Sequence, residues 1–261
     1  MKLDHVAIAD RDVLPLMNHL VGALGATVLH GGLTVGFRPV QVRVGDGSTG
    51  MTVELLEPWR IEENDFLERF LVRNGSGPHH LTYKVTDIEE TIREVEAAGY
   101  KPVVVNIDNH VWREVFLDPR QTHGTVIQFA EDHVNHPDAA VAFDAARAGI
   151  SSDAWTPKWW PDPVERAPEA AVVRAVVLGT PALDDAVGFY EGLLAGERDG
   201  EGDGWVELRW AKGAGLRLVE RPGRAGIEWI DIRASDPATH GETVVSGTRL
   251  IVRDPQDPAV R

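Results

Sequence analysis

Apolar and polar residues alternate along this chain in short runs, and the period switches repeatedly between two residues and about 3.6. Val6 and Ile8, set among polar neighbours, read as a strand that ends near Asp10. Apolar positions over 14–24 then recur at helical spacing and stop at Gly25, a residue suited to closing a helix. Strand-like segments follow around 27–29, 40–44 and 51–56, divided by turns such as Gly45-Asp46-Gly47. After a helix over 65–72 the order begins again. A strand at 80–85 leads to a helix over 88–98 closed by Gly99, then to strands at 103–105, 113–117 and 125–129. The first half of the chain therefore predicts two copies of one strand–helix–three-strand unit. Such a unit leaves an apolar sheet face open, and pairing two of them buries it.

Downstream the pattern weakens and then returns. The stretch HPDAAVAFDAARAG, 136–149, predicts a short helix, and the Pro-rich residues after it predict a linker packed on the surface. Trp155, Trp159 and Trp160 are expected to fill the crevice between two domains, in preference to forming an aromatic lid over a site. The unit then recurs as a strand at 172–178, a helix over 182–194, and strands at 205–209 and 216–219. A last strand pair, 228–233 and 248–252, has too short a connection for the usual helix and intervening strands. The expected fold is α+β, with tandem βαβββ modules in two domains. The first spans 1–132, a linker covers 133–170, and the second spans 171–261 with its final module shortened.

Composition narrows the chemistry. The 261 residues include 26 basic and 41 acidic ones, for a formal charge of −15. A chain this acidic repels phosphate backbones and anionic lipid, which argues against nucleic-acid and membrane partners. No apolar run approaches the ~20 residues of a membrane span, and the charged start MKLDHVAIADRD is unlike a secretory signal. The expected location is cytoplasmic. The absence of cysteine removes disulfides, thiolate zinc sites, iron–sulfur clusters and a cysteine nucleophile together. Any metal must be held by His, Asp, Glu, Asn or Gln.

The repeat points to such a set. His5 and His80 stand 75 positions apart, and Glu54 and Gln128 stand 74 apart, as two copies of one module require. On its strand His5 shares a face with Ala7 and Ala9, and His80 shares one with Thr82 and Lys84. Pairing the modules about a pseudo-twofold brings His5, Glu54, His80 and Gln128 together on a concave face. Two imidazoles, a carboxylate and an amide oxygen suit one divalent ion among Zn, Ni, Co, Mn and Fe(II), with positions left for water or substrate. A single histidine at a strand start, or a glutamate in ELLEP, is ordinarily a solvated polar residue. Four at equivalent positions make the metal site the expectation. Strict alternation assigns the neighbouring His79 to the helix-packing side.

Taken together, LDHVAIA, ALGATVLHGG, VELLEP, GPHHLTYKVTDI and VFLDPRQTHGTVIQFAE resemble the vicinal oxygen chelate superfamily over 1–131. The paired His79-His80 and the His123-Gly124 motif are most similar to its methylmalonyl-CoA epimerase and glyoxalase-like branch. The resemblance implies one metal held by one residue from each of four strands, here His5, Glu54, His80 and Gln128. It also implies movement of a proton beside a carbonyl whose oxygens chelate the metal. The epimerase pattern generally has Gln in the second slot and Glu in the last, and this chain exchanges them. The glyoxalase pattern usually has Glu in both.

One carboxylate leaves a divalent ion with net charge near +1, which favours an anionic enediolate. Gln128 cannot act as the base. Glu54 is the candidate if substrate displaces it from the metal, with His79, His110 and His123 as lesser alternatives, and His123 reads better as a loop-fixing residue. In the second domain Ala175, Arg217, Trp229 and Ile251 fall at the four ligand positions, so no metal is expected there. That domain is expected to wall the cleft, complete a larger pocket or form a homodimer surface. The leading function is an isomerase or lyase acting on a small-molecule substrate. The implied substrates are an acyl-CoA thioester or a thiol–ketoaldehyde adduct, although no basic cluster stands out to hold a CoA phosphate. The alternatives are an Fe(II) extradiol-type dioxygenase and a non-catalytic small-molecule binding or resistance protein.

Overall fold

The alternation at the N-terminus becomes β1 (Lys2–Ala9), which buries Val6 and Ile8 on one face and carries His5, Ala7 and Ala9 on the other. The structure, a computed structural model, describes residues 1–46, 50–108, 112–132, 158–211 and 213–257. After β1 come α1 (Leu14–Gly22), β2 (Thr27–Gly31), β3 (Gly36–Val44) and β4 (Met51–Trp59). Helix α2 (Phe66–Asn74) leads into β5 (Gly77–Lys84), α3 (Ile88–Ala97), β6 (Pro102–Asn106), β7 (Trp112–Leu117) and β8 (Val126–Asp132). The two modules share one sheet in the order β2-β3-β4-β1-β5-β8-β7-β6. At its centre β1 and β5 run antiparallel, with His5 opposite Thr82 and Ala7 opposite His80.

Each module seats its helix in the same way. Glu57 on β4 accepts the Val13 N–H ahead of α1 at 3.3 Å and holds Arg38. Glu131 on β8 accepts the Ile88 N–H of α3 at 2.8 Å and holds Arg113. A carboxylate there satisfies an open N–H and meets the positive end of the helix dipole.

The second sheet contains β9 (Val172–Thr180), β10 (Glu197–Gly202), β11 (Trp205–Arg209), β12 (Gly215–Glu220), β13 (Gly226–Arg233), β14 (Gly241–Val245) and β15 (Thr248–Arg253). Their order is β10-β11-β12-β9-β13-β15-β14. The chain is thus an α+β protein of tandem βαβββ modules in two domains. In the last module a 3₁₀ turn at Pro237–Thr239 replaces the helix, and one strand is missing. The helix expected over 182–194 is α-helical only as α4 (Leu183–Val187) and continues as a π-helical turn over Gly188–Leu193. Gly188 and Gly192 loosen the regular ladder there, and the wider turn buries both Phe189 and Tyr190. Strands β10 and β14 lie at sheet edges and are largely exposed, so they carry no apolar alternation to read.

The two sheets share one core. It joins Val6, Ile8, Leu81 and Phe129 of the first sheet, Leu16 and Leu20 of α1, and Val176, Leu218 and Ile230 of the second. Tyr83 and Trp210 meet across it with ring centres 5.1 Å apart. The opposite, concave faces hold small separate clusters, Ala7, Ala9, Leu56, Leu67 and Leu71 on one, and Val177, Val219, Trp229 and Ile251 on the other. The second domain therefore backs the first sheet and does not wall its concave face, contrary to the first of the roles expected for it.

The expected helix at 136–149 and Trp155 lie outside the described residues. Downstream, the linker straps the end of α1. Ala167 N–H donates to Val21 O and Ala171 N–H to Leu24 O, at 3.1 and 2.9 Å, and Arg166 reaches Gly25 O at 2.9 Å. These bonds satisfy carbonyls that a helix terminus leaves open. Trp159 donates to Pro39 O at 3.0 Å under the Arg38 guanidinium, and Trp160 is buried against Gly31. Both tryptophans contact the β2–β3 region; Trp160 also belongs to the core shared by the two sheets, and Trp159 packs against it. No described helix is long and apolar enough to cross a membrane.

Candidate metal centre

The concave face of the first sheet is set by register. Parallel pairing puts His5 beside Thr52 and Ala7 beside Glu54; across the seam Thr82 lies beside Gln128. Two β-bulges interrupt β1 and β5, one at Asp4 and one at His79, again 75 positions apart. A bulge adds one residue and breaks the alternation, so two consecutive side chains turn to one face. His79 accordingly lies on the concave side, its ring 5.0 Å from that of His80 and 4.6 Å from Phe70 of α2. Alternation alone had assigned it to the opposite face. The same irregularity places Asp4 against His5.

Three candidate ligands converge. One ligand atom each from His5, Glu54 and His80 lies within 4.8 Å of the others. Glu54 Oε2 is 3.5 Å from His5 Nε2 and 3.9 Å from His80 Nε2. Donors sharing an ion at ~2.1 Å stand roughly 3.0–3.5 Å apart, so a small contraction would complete the cage. Gln128 is one hydroxyl away: Thr82 Oγ1 donates to Gln128 Oε1 at 2.5 Å and lies 2.8 Å from His5 Nε2. Gln128 Nε2 donates to Glu114 Oε2 at 2.6 Å, which turns the amide oxygen, the coordinating atom, toward the cluster.

The cluster fits a divalent cation. His80 is buried, and its Nε2 has no hydrogen-bond partner, a costly state for a polar atom that coordination relieves. Its Nδ1 lies 2.8 Å from His79 Nδ1. Burial, reinforced by the neighbouring imidazoles, holds His80 well below its ordinary pKa, and burial holds His79 at about 4. Both are neutral at pH 7. Burial would also lower His5, but the Glu54 carboxylate and the Asp4 and Glu54 hydrogen bonds outweigh it and hold His5 at about 9. Burial would raise Glu54, yet the His5 charge and hydrogen bond bring it to about 2. Without a metal, one proton on His5 thus does part of a cation's work.

Four supporting residues escaped the sequence reading. Asp4 Oδ2 lies 3.1 Å from His5 Nδ1, the carboxylate–histidine arrangement that orients a metal ligand. Gln41 Nε2 donates to Glu54 Oε1 at 3.0 Å, leaving Oε2 toward the histidines. Thr82 and Glu114 fix Gln128. The Asp4-His5 adjacency was the one available signal; Gln41, Thr82 and Glu114 depend on register. Of the alternative bases, His110 lies outside the described residues. His123 sits in the domain junction, its Nδ1 3.4 Å from Thr180 Oγ1 and its ring beside Phe189 and Tyr190.

Register also aligns the second sheet. Ala175 pairs with Gly215 and Val177 with Arg217, as His5 does with Thr52 and Ala7 with Glu54. Trp229 then stands in the His80 position and Ile251 in that of Gln128. Arg217, fully buried, brings a positive charge to the carboxylate's slot, and Glu207 holds it together with Arg174 and Arg209.

Residues 4–116 match the family model described as the Glyoxalase/Bleomycin resistance protein/Dioxygenase superfamily. Over those residues the chain is similar to that superfamily, the vicinal oxygen chelate group. Among solved structures, a hypothetical protein from Staphylococcus aureus aligns over 97% of this chain and 99% of its own, with a TM-score of 0.62 and 9% identity, a likeness of fold across both domains. A hypothetical protein from Bacillus halodurans is 28% identical over 50% of this chain and 94% of its own, TM-score 0.44. Methylmalonyl-CoA epimerase from Mycobacterium tuberculosis is 24% identical over 54% of this chain and 91% of its own, TM-score 0.44. No curated protein matches the chain.

Proposed function

We propose that the protein is a metal-dependent isomerase or lyase that removes a proton from the carbon beside a carbonyl of a small-molecule substrate in the cytoplasm. The observation that carries this reading is the His5–Glu54–His80 cluster with its unpartnered His80 Nε2. His5, Glu54, His80 and the Gln128 oxygen would hold the ion. A divalent cation supplies Lewis acidity to a carbonyl oxygen and so acidifies the adjacent C–H. Asp4 and His79 orient the two imidazoles, and Gln41 orients Glu54. Glu54 is the proposed base, a role that requires substrate to displace its carboxylate from the ion. Of the other nearby carboxylates, Glu114 is engaged by Gln128 and Trp112 and Asp4 by His5 and Lys2, whereas Glu54 keeps one oxygen facing the cluster. Helix α2 excludes water from one end of the face by laying Leu67 and Leu71 over Ala7, Ala9 and Leu56.

Elemental analysis of the purified protein beside His80→Ala tests the site; about one divalent ion per wild-type chain and loss in the variant are expected. Incubation of loaded protein with carbonyl acids and thioesters in deuterated water tests the reaction. Absence of exchange at any carbon across a broad panel would sink it. A second reading follows from the same triad, since two histidines and one carboxylate are the ligand set of Fe(II) dioxygenases. Oxygen uptake with catechols after anaerobic iron loading selects it.

A further inference from the structure

Besides the histidines, the described residues on the face that carries the cluster include Lys84, Lys2 and Arg43, and these differ in how they are paired. Lys84 reaches Asp132 and lies 3.7 Å from the centre of the Trp112 ring. Lys2 is 3.2 Å from Asp4. Arg43 differs. Its one polar contact among the described residues is a long one, Nη2 to Thr52 Oγ1 at 3.4 Å, and its Nε is buried with no hydrogen-bond partner. Among the described residues no carboxylate pairs with it, although the chain has 41 acidic residues against 26 basic ones. A half-buried guanidinium in that state has lost water without gaining a counter-charge.

Arg43 is also in the right place. It lies opposite Thr52, and Thr52 lies beside His5, so the three share one row across the concave face. From β3 to β1 is two strand spacings, roughly 10 Å between Cα atoms, and the arginine side chain leans across part of that gap to reach Thr52.

We propose that Arg43 receives an anionic group of the substrate, a carboxylate or a phosphate, while the carbonyl lies at His5, Glu54 and His80. The inference rests on the metal-site reading above and narrows its substrate class. The substrate is a small carbonyl compound with a second oxyanion set a few bonds from the reacting carbon. The planar guanidinium fork suits either oxyanion in a bidentate contact. A single guanidinium recognises a compact acid and offers little to the several phosphates of a nucleotide-bearing thioester.

The test uses the full chain loaded with Co²⁺, whose visible spectrum reports ligand exchange. Four probes share a 2-oxo acid head: 2-oxobutyrate, 2-oxoglutarate, the 5-methyl ester of 2-oxoglutarate, and 4-phosphono-2-oxobutyrate. On wild type the two probes with a distal anion are expected to bind at least about tenfold tighter than the ester and 2-oxobutyrate. The ratio between them tells whether carboxylate or phosphate is preferred. Arg43→Met is expected to erase the preference while leaving 2-oxobutyrate binding unchanged, which also shows that the variant is folded. Arg43→Lys should retain part of it. Equal binding of diacid and ester on cobalt-loaded wild type, or a preference that survives Arg43→Met, overturns the role of Arg43 and leaves the metal site standing. A chain that takes up no cobalt removes the metal site, and the role of Arg43 falls with it.

Discussion

Metal uptake should be controlled by one proton. In the metal-free cluster His5 holds its proton up to about pH 9 because Glu54 and Asp4 outweigh the effect of burial. Glu54, at about 2, and His80, well below its ordinary range, are already in their ligand forms at neutral pH. A divalent ion must therefore expel the His5 proton and nothing else. Below that pKa each unit of pH makes the expulsion tenfold easier, so apparent affinity should rise about tenfold per unit from pH 5 to 8.5 and level off near 9. At pH 7 the proton weakens binding by about a hundredfold. Calorimetric titration with Zn²⁺ in buffers of different ionisation enthalpy should report close to one proton released per ion at pH 7. In Asp4→Asn the break should move to lower pH, and affinity above the break should fall by about tenfold or more as the imidazole loses its orienting carboxylate. A flat profile from pH 5 to 8 with no proton release, or a break near 6.5 in wild type, would refute the coupling of His5 to Glu54 and Asp4.

The same proton stabilises the metal-free fold. Its folded pKa exceeds the unfolded value of about 6.5, so the contribution is complete below pH 6.5 and lost as pH rises through about 9, an amount of about 3 kcal/mol. Urea unfolding of chelator-treated wild type against His5→Gln across that window should show the difference shrinking. Glu131→Ala strips the Ile88 N–H and Arg113 of a shared buried partner, and equilibrium unfolding should report a loss of about 2–4 kcal/mol. Gly247 has φ 65°, and a Cβ there would lie 1.8 Å from Ser76 O. Gly247→Ala should therefore cost more than about 1 kcal/mol; an unchanged midpoint would mean that the turn moves freely.

Much of this architecture was legible because its signals are periodic. Val6 and Ile8 against His5 and Ala7 fix which face of β1 is buried, and the 75-residue repeat brings His5 and His80 to one seam. What the period could not carry was its own interruption. The bulges at Asp4 and His79 each insert a residue, so counting by twos puts His79 on the wrong face and hides Asp4 as a partner of His5. Partners from neighbouring strands were likewise out of reach, because Gln41 meets Glu54, and Glu114 meets Gln128, only once register is fixed. Edge strands β10 and β14 have no buried face to write into the sequence. The linker tryptophans show a further limit: a large apolar side chain demands burial but does not say against what, and Arg38 with Pro39 supplies the surface for Trp159.

The shared core has a consequence for access. With their convex sides joined through Tyr83 and Trp210, the two sheets resemble bowls glued base to base, one opening away from the other. Nothing docked in the second bowl stands in the route to the first, so a fusion partner or surface tether attached on that side should leave substrate entry clear. The joint also makes the second sheet a backing plate: a change made there would reach the candidate ligands His5, Glu54 and His80 as stiffness transmitted through the floor, without touching anything in the first bowl.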